Sequence, residues 1–127
     1  MFKINRKTEY ALRGLRYLAN KGTDEPVMIR EIAKAVDASP VFLAKIFQIL
    51  NAAGLVTSTR GVVGGFRLSR PAEEITLREV LEATEGPISV NLCVVDEKSC
   101  DLTETCAAHR IWHKLKRTIN GELDKVT

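Results

Sequence analysis

Residues 39–70 read SPVFLAKIFQILNAAGLVTSTRGVVGGFRLSR, and this stretch decides the fold. Ser39-Pro40 is a helix start: a serine hydroxyl caps free backbone N–H groups, and proline at the first helical position lacks the N–H that would go unpaired there. Leu43, Ile46, Phe47 and Leu50 then recur at three- and four-residue intervals, the stripe of a helix with one buried face. Ala53-Gly54 closes it. The period then changes. Leu55–Thr59 and Phe66–Ser69 are short extended runs, and Arg60–Gly65 between them bears three glycines, so the pair reads as a hairpin.

Upstream, residues 5–20 place Thr8, Ala11, Leu12, Leu15, Leu18 and Ala19 on one helical stripe. Ile29, Ile32, Ala33 and Val36 mark a two-turn helix over 28–36, and Asp37-Ala38 is a brief turn before Ser39. Helix, short helix, turn, helix, hairpin is the order of a winged helix-turn-helix, in which the third helix enters the DNA major groove. Downstream, Thr76-Leu77-Arg78-Glu79 is a capping box opening a fourth helix that runs to about Thr84. Residues 86–100 show no period. From about Thr103 to Val126 a long helix is expected. Its stripe of Ile111, Trp112, Leu115, Ile119, Leu123 and Val126 is more than one small domain needs, and this points to dimerisation. The fold class is mainly α with a small β-wing. The expected division is a DNA-binding domain over 1–85, a loop over 86–102 and a dimerisation helix over 103–127.

Charge supports the same partner. Residues 1–70 carry 12 basic and 5 acidic side chains, net +7, while residues 71–127 carry 7 and 11, net −4. A basic half suits a polyanion. The third helix, with its buried stripe assigned, leaves Ser39, Pro40, Val41, Ala44, Lys45 and Gln48 to face outward; Lys45 and Gln48 reach phosphates and base edges. Alone, these would pass for an ordinary solvated face. The hairpin tip adds Arg60 and Gly61, followed by Arg67, and an arginine on a glycine-rich tip suits a narrow minor groove. Lys3, Arg6, Lys7, Arg13 and Arg16 complete the candidate cations. The tip is not a phosphate cradle, since no Gly-Lys-Ser/Thr follows and no helix starts at Gly65. The expected partners are double-stranded operator DNA and a second copy of the chain.

Cys93, Cys100, Cys106 and His109 lie within seventeen positions. Three thiols and an imidazole so close together suit a metal or iron–sulfur site. The spacing is not that of a zinc finger, although zinc stays open, as does a set of small buried thiols with no ligand. A cysteine nucleophile lacks an orienting third group and an oxyanion hole, so no enzyme is expected. An odd number of cysteines, no signal-like N-terminus and no bilayer-length apolar run lead to the expectation of a cytoplasmic protein, not a membrane protein.

Several segments resemble the Rrf2 family of bacterial transcription regulators, which includes the IscR and NsrR types. They are Glu9-Tyr10-Ala11-Leu12, Ile29-Arg30-Glu31-Ile32-Ala33, Ala53-Gly54-Leu55-Val56, Arg60-Gly61 through Gly64-Gly65-Phe66, Glu74-Ile75-Thr76 and the three cysteines. The resemblance implies a winged helix-turn-helix with a long dimerisation helix, and a repressor that senses iron–sulfur status or redox stress. It also implies an iron–sulfur cluster on Cys93, Cys100 and Cys106, with 2Fe–2S preferred to 4Fe–4S. His109 matches the fourth ligand of IscR-like members. NsrR-like members, which sense nitric oxide, use a carboxylate from the first helix, where Glu9 stands. Locality to Cys106 favours His109.

Overall fold

The computed structural model describes residues 3–22, 24–61, 64–88 and 107–127. Among them five helices and one hairpin follow the expected order: α1 (Arg6–Lys21), α2 (Ile29–Val36), α3 (Pro40–Ala52), β1 (Val56–Thr59), β2 (Gly65–Leu68), α4 (Leu77–Glu85) and α5 (Ala107–Asp124). A single 3₁₀ turn at Ala72–Glu74, which the sequence pattern does not announce, leads into α4.

Local chemistry explains the helix ends. Ser39 Oγ accepts the Phe42 N–H at 3.0 Å with Pro40 at the first position of α3. In α4 the capping box is complete: Thr76 Oγ1 accepts the Glu79 N–H at 3.2 Å, and Glu79 Oε2 accepts the Thr76 N–H at 2.9 Å. The α2–α3 turn is made by Asp37 at φ 55°, a left-handed conformation that Asp tolerates better than most residues.

α1, α2 and α3 pack on one another around Ile32, Leu43, Ile46, Phe47 and Leu50, with α4 covering α1 and α3. The buried face of α1 is Thr8, Tyr10, Ala11, Gly14, Leu15 and Leu18. The expected stripe is thus turned slightly: Leu12 and Ala19 are half-buried, and Tyr10 and Gly14 go inside instead. The reason is α3, since a Cβ on Gly14 would meet the Phe47 ring at 2.7 Å.

β1 and β2 pair antiparallel, Val56 opposite Leu68 and Thr59 opposite Gly65. A third segment joins them. The Val27 N–H donates to the Phe66 carbonyl at 2.8 Å, and the Phe66 N–H donates to the Val27 carbonyl at 2.9 Å. The wing is therefore fastened to the α1–α2 connection as well as to α3. Residue 65 must be glycine for this contact, because a Cβ there would overlap the carbonyl of Val27.

α5 packs against α4, with Arg78 paired to Asp124 at 3.1 Å. It ends at Asp124, so Val126 lies beyond the helix, not on its stripe. The Val126 carbonyl instead accepts the Leu77 N–H at 2.8 Å. Residues 103–106, expected at the start of this helix, and 89–102 of the expected loop lie outside the described residues.

Candidate nucleic-acid interface and cysteine segment

The outward face of α3 carries what the sequence placed there. Ser39, Pro40, Lys45 and Gln48 are exposed, and Val41 is 70% exposed at the first turn, where an apolar side chain suits a thymine methyl. α1 supplies cations beside that turn. Arg6 and Arg13 lie over the Tyr10 ring at 5.6 and 5.1 Å, and Arg6 also donates to the Tyr10 hydroxyl at 3.3 Å. That hydrogen bond, with the negative charge Tyr10 carries once ionised, raises the Arg6 pKa. Tyr10 in turn sets its ring edge-on against Phe42 of α3, with centroids 5.6 Å apart. Two guanidiniums are thereby registered against the N-terminal turn of α3.

Between α3 and the wing runs a groove that contains Arg30, Gln48, Asn51, Ser58, Arg60 and Gly61. Arg60 is exposed at the exit of β1. Arg30 and Asn51 were not among the DNA contacts expected from sequence; the exposed second residue of α2 and the last turn of α3 converge there only once the helices pack. Arg67 is placed otherwise. Its Nε donates to Thr57 Oγ1 at 3.3 Å and a terminal nitrogen donates to the Asp24 carbonyl at 3.4 Å. It lines a different cleft, with Asp24, Glu25 and Glu73. Arg16 lines an apolar groove formed by α1, Leu68 of β2, α4 and Val126, a different groove from the one that holds Arg60. Lys3 is exposed and Lys7 half-exposed at the start of α1.

Cys93, Cys100 and Cys106 lie outside the described residues. Their candidate fourth partners do not. His109 is in the first turn of α5, half-buried, with its ring edge-on to His113 at 4.4 Å. Glu9 is exposed in the first turn of α1. Among the described residues no three His, Cys, Asp or Glu side chains gather as a metal site. The donors nevertheless suit an iron–sulfur cluster: three thiolates by sequence, and an imidazole held in the first turn of a helix three positions after the last of the undescribed residues.

α5 is an 18-residue helix that contributes one residue, Asn120, to the buried set among the described residues. Ile111 is 56% and Leu115 40% exposed, while Trp112, Ile119 and Leu123 are half-buried. Among the described residues no helix is long and apolar enough to cross a membrane.

Comparison with known proteins agrees with this architecture. The profile of the Rrf2 family, described as iron-dependent transcriptional regulator, matches residues 4–127. Protein aau3 of Rhizobium meliloti is 41% identical over 113 residues, 88% of this chain and 73% of the relative. The regulator NsrR of Bacillus licheniformis is 33% identical over 126 residues, 98% of this chain and 88% of the relative. Among solved structures, CymR, the global cysteine regulator of B. subtilis, superposes with a TM-score of 0.75 at 30% identity, covering 100% of this chain and 93% of CymR. T. potens IscR gives 0.70 at 28% identity, covering 99% and 82%. With a winged helix-turn-helix fold and a family match over nearly all of its length, the chain belongs to the Rrf2 family of transcriptional regulators, which are not enzymes.

Proposed function

We propose that the chain is a cytoplasmic homodimeric repressor that binds operator DNA through α3 and the wing, and that an iron–sulfur cluster on Cys93, Cys100, Cys106 and His109 governs that binding. The observation that carries the reading is the pairing of two features. One is the exposed polar groove shared by α3 and the wing tip. The other is the cysteine run that closes on His109 in the first turn of α5. Gln48 and Lys45 read the major groove, Arg60 enters the minor groove, and Arg6 and Arg13 hold phosphates beside the first turn of α3. Ile111, Trp112, Leu115, Ile119 and Leu123 on α5 face the second copy, an assignment favoured by how little of that helix the described residues bury.

When bound, the cluster, 2Fe–2S in preference to 4Fe–4S, supplies an iron centre whose redox state and ligands change with the cell. His109 would hold it as a neutral nitrogen donor. Cys93 and Cys100 precede α5 in sequence, so a change at the thiolates acts on the chain between α4 and α5. A shift in the two DNA-reading heads then follows as a change of populations between two arrangements.

Two relatives favour specific alternatives. The NsrR match, with Glu9 on α1 as fourth ligand, supports a nitric-oxide-sensing repressor. The CymR match, a cysteine regulator by name, supports a zinc- or thiol-based regulator. Anaerobic purification separates them. A brown protein with visible absorption and bound iron supports the cluster; a colourless protein with stoichiometric zinc overturns it. Reconstituted His109→Ala with an altered visible and Mössbauer spectrum, beside an unaltered Glu9→Ala, supports His109. The reverse pattern moves the reading to the nitric-oxide sensor.

A further inference from the structure

The carboxylate of Glu85, the last residue of α4, reaches across to the start of α1. Its Oε1 accepts the backbone N–H of Asn5 at 3.0 Å and its Oε2 accepts the Asn5 side-chain amide at 2.8 Å. The Thr8 hydroxyl also donates to Oε1. Beneath, Thr8 is buried against Thr84, their hydroxyl oxygens 2.7 Å apart, and the Thr84 hydroxyl also lies 3.0 Å from the Val80 carbonyl. Asn5 is itself the N-cap of α1, its Oδ1 accepting the Thr8 N–H at 3.2 Å. One side chain, about eighty positions away in sequence, thus holds the cap of the helix that carries Arg6, Tyr10 and Arg13.

What lies on either side of this contact gives it meaning. On one side the chain is fixed as far as residue 88: Gly86 takes φ 85° with its N–H on the Glu82 carbonyl at 3.0 Å, and Ile88 is buried. The segment bearing all three cysteines starts at the next residue. On the other side, Tyr10 packs edge-on against Phe42 in the first turn of α3. The first turn of a helix has unpaired N–H groups and depends on its cap for order. A displacement of residues 86–88 therefore acts on buried Ile88 and, through Glu85, on the cap of α1.

We propose that Glu85 is a positioning residue, a carboxylate latch that couples the cysteine segment to the DNA-contacting turn of α3 through Asn5 and α1. The proposal rests on the sensing reading above. Coupling is shown by exchange of partners, not by proximity. Asn5→Asp keeps a good cap acceptor but sets a second carboxylate against Glu85. Glu85→Gln sets an amide against the Asn5 amide. The double variant restores one donor against one acceptor with the polarity reversed. Glu82→Gln, on the same helix and paired to Arg78, is the control.

The experiment measures the affinity of each full-length variant for a duplex selected from random-sequence DNA by the wild-type chain, with the cluster reconstituted and after its removal by chelation. Circular dichroism and visible absorption check that fold and cluster are retained. In the wild type the two affinities should differ by about 5–150-fold, the usual range of coupling between sites. In each single variant that ratio should fall to within about twofold, and the double variant should recover it. Glu82→Gln should keep it. Single variants that keep the wild-type ratio overturn the latch, as do single variants that lose the cluster absorption or a double variant that fails to recover. A wild-type chain with no cluster or no ratio removes the sensing reading itself, and the latch falls with it; that failure is recognised because it shows before any substitution is made.

Discussion

Replacing Gly65 by Ala tests whether the wing is fastened where the structure places it. Gly65 begins β2 opposite Thr59, and a Cβ there would overlap the carbonyl carbon and oxygen of Val27 and come within 2.8 Å of the Met28 nitrogen. All three are backbone atoms, so no rotamer change relieves the overlap. Either Val27 moves away from β2 or the strain stays. If Val27 moves, the two hydrogen bonds it exchanges with Phe66 go, at about 0.5–1.5 kcal/mol each. If it stays, overpacking costs on the order of 1–3 kcal/mol. The opposing gain, the lower entropy of an unfolded alanine, is about 0.4–1 kcal/mol and loses. The net destabilisation should be about 0.5–2.5 kcal/mol once that gain is subtracted, or roughly 2–10 °C in Tm for a chain of this size. Gly121→Ala is the counterpart: it lies inside α5, and outside its own stretch of helix no heavy atom among the described residues comes within 4 Å of its added Cβ. The same chemical change should there raise stability by about 0.4–1 kcal/mol. Calorimetry at one fixed protein concentration reads both, since association would otherwise shift Tm. A Gly65→Ala protein melting within about 2 °C of the wild type would refute the reasoning.

Arg60→Ala should weaken operator binding by about 1–3 kcal/mol and relax preference at A·T positions, while stability changes by no more than about 0.5 kcal/mol; an affinity equal to that of the wild type on both operator and scrambled duplex removes Arg60 from the interface. The operator itself should footprint as a pseudo-palindrome, with half-sites about one helical turn or a multiple apart, and an asymmetric footprint would count against the dimer. Leu115→Glu with Ile119→Glu should give monomers by light scattering and lose operator binding in the same step; a dimeric double variant places the interface elsewhere. The Glu79 carboxylate is held below its ordinary pKa, chiefly by the Thr76 N–H it accepts and also by Arg70, against the opposing effect of burial. Its contribution is therefore present above the ordinary carboxylate range and lost as pH falls through the lower folded value. Glu79→Gln should flatten the change in urea midpoint between about pH 5 and pH 2, and an unchanged slope would show that the capping box carries none of it.

The elements that could be read from the amino-acid order are those built by neighbours in the chain. Ser39-Pro40 and Thr76–Glu79 start helices by contacts within three residues, and both are found as expected. The change from a helical to a two-residue period at Leu55 is local as well. What was not legible depends on distant partners. Gly14 and Tyr10 turn inward because Phe47 and Phe42 arrive from α3. Val27 joins β2 across about forty positions, and nothing around it spells a strand. Arg67 belongs by pattern with Arg60, yet alternation along β2 sends it to Thr57 and Asp24. Arg30 and Asn51 enter the groove only because α2 and α3 cross there. Val126 fits the spacing of the α5 stripe, but the helix stops two residues earlier and its carbonyl turns to Leu77.

Trp112 is the one tryptophan in the chain, and it sits half-buried on α5, while both tyrosines, Tyr10 and Tyr17, belong to α1. The protein is therefore labelled by its own composition. Light absorbed only by indole interrogates α5 and leaves the reading head silent, so emission wavelength and anisotropy follow what that helix touches without any attached dye. Rearrangements confined to the wing, where there is no indole, stay dark in the same measurement. Intrinsic fluorescence thus divides the two ends of the molecule into one that is observed and one that is not.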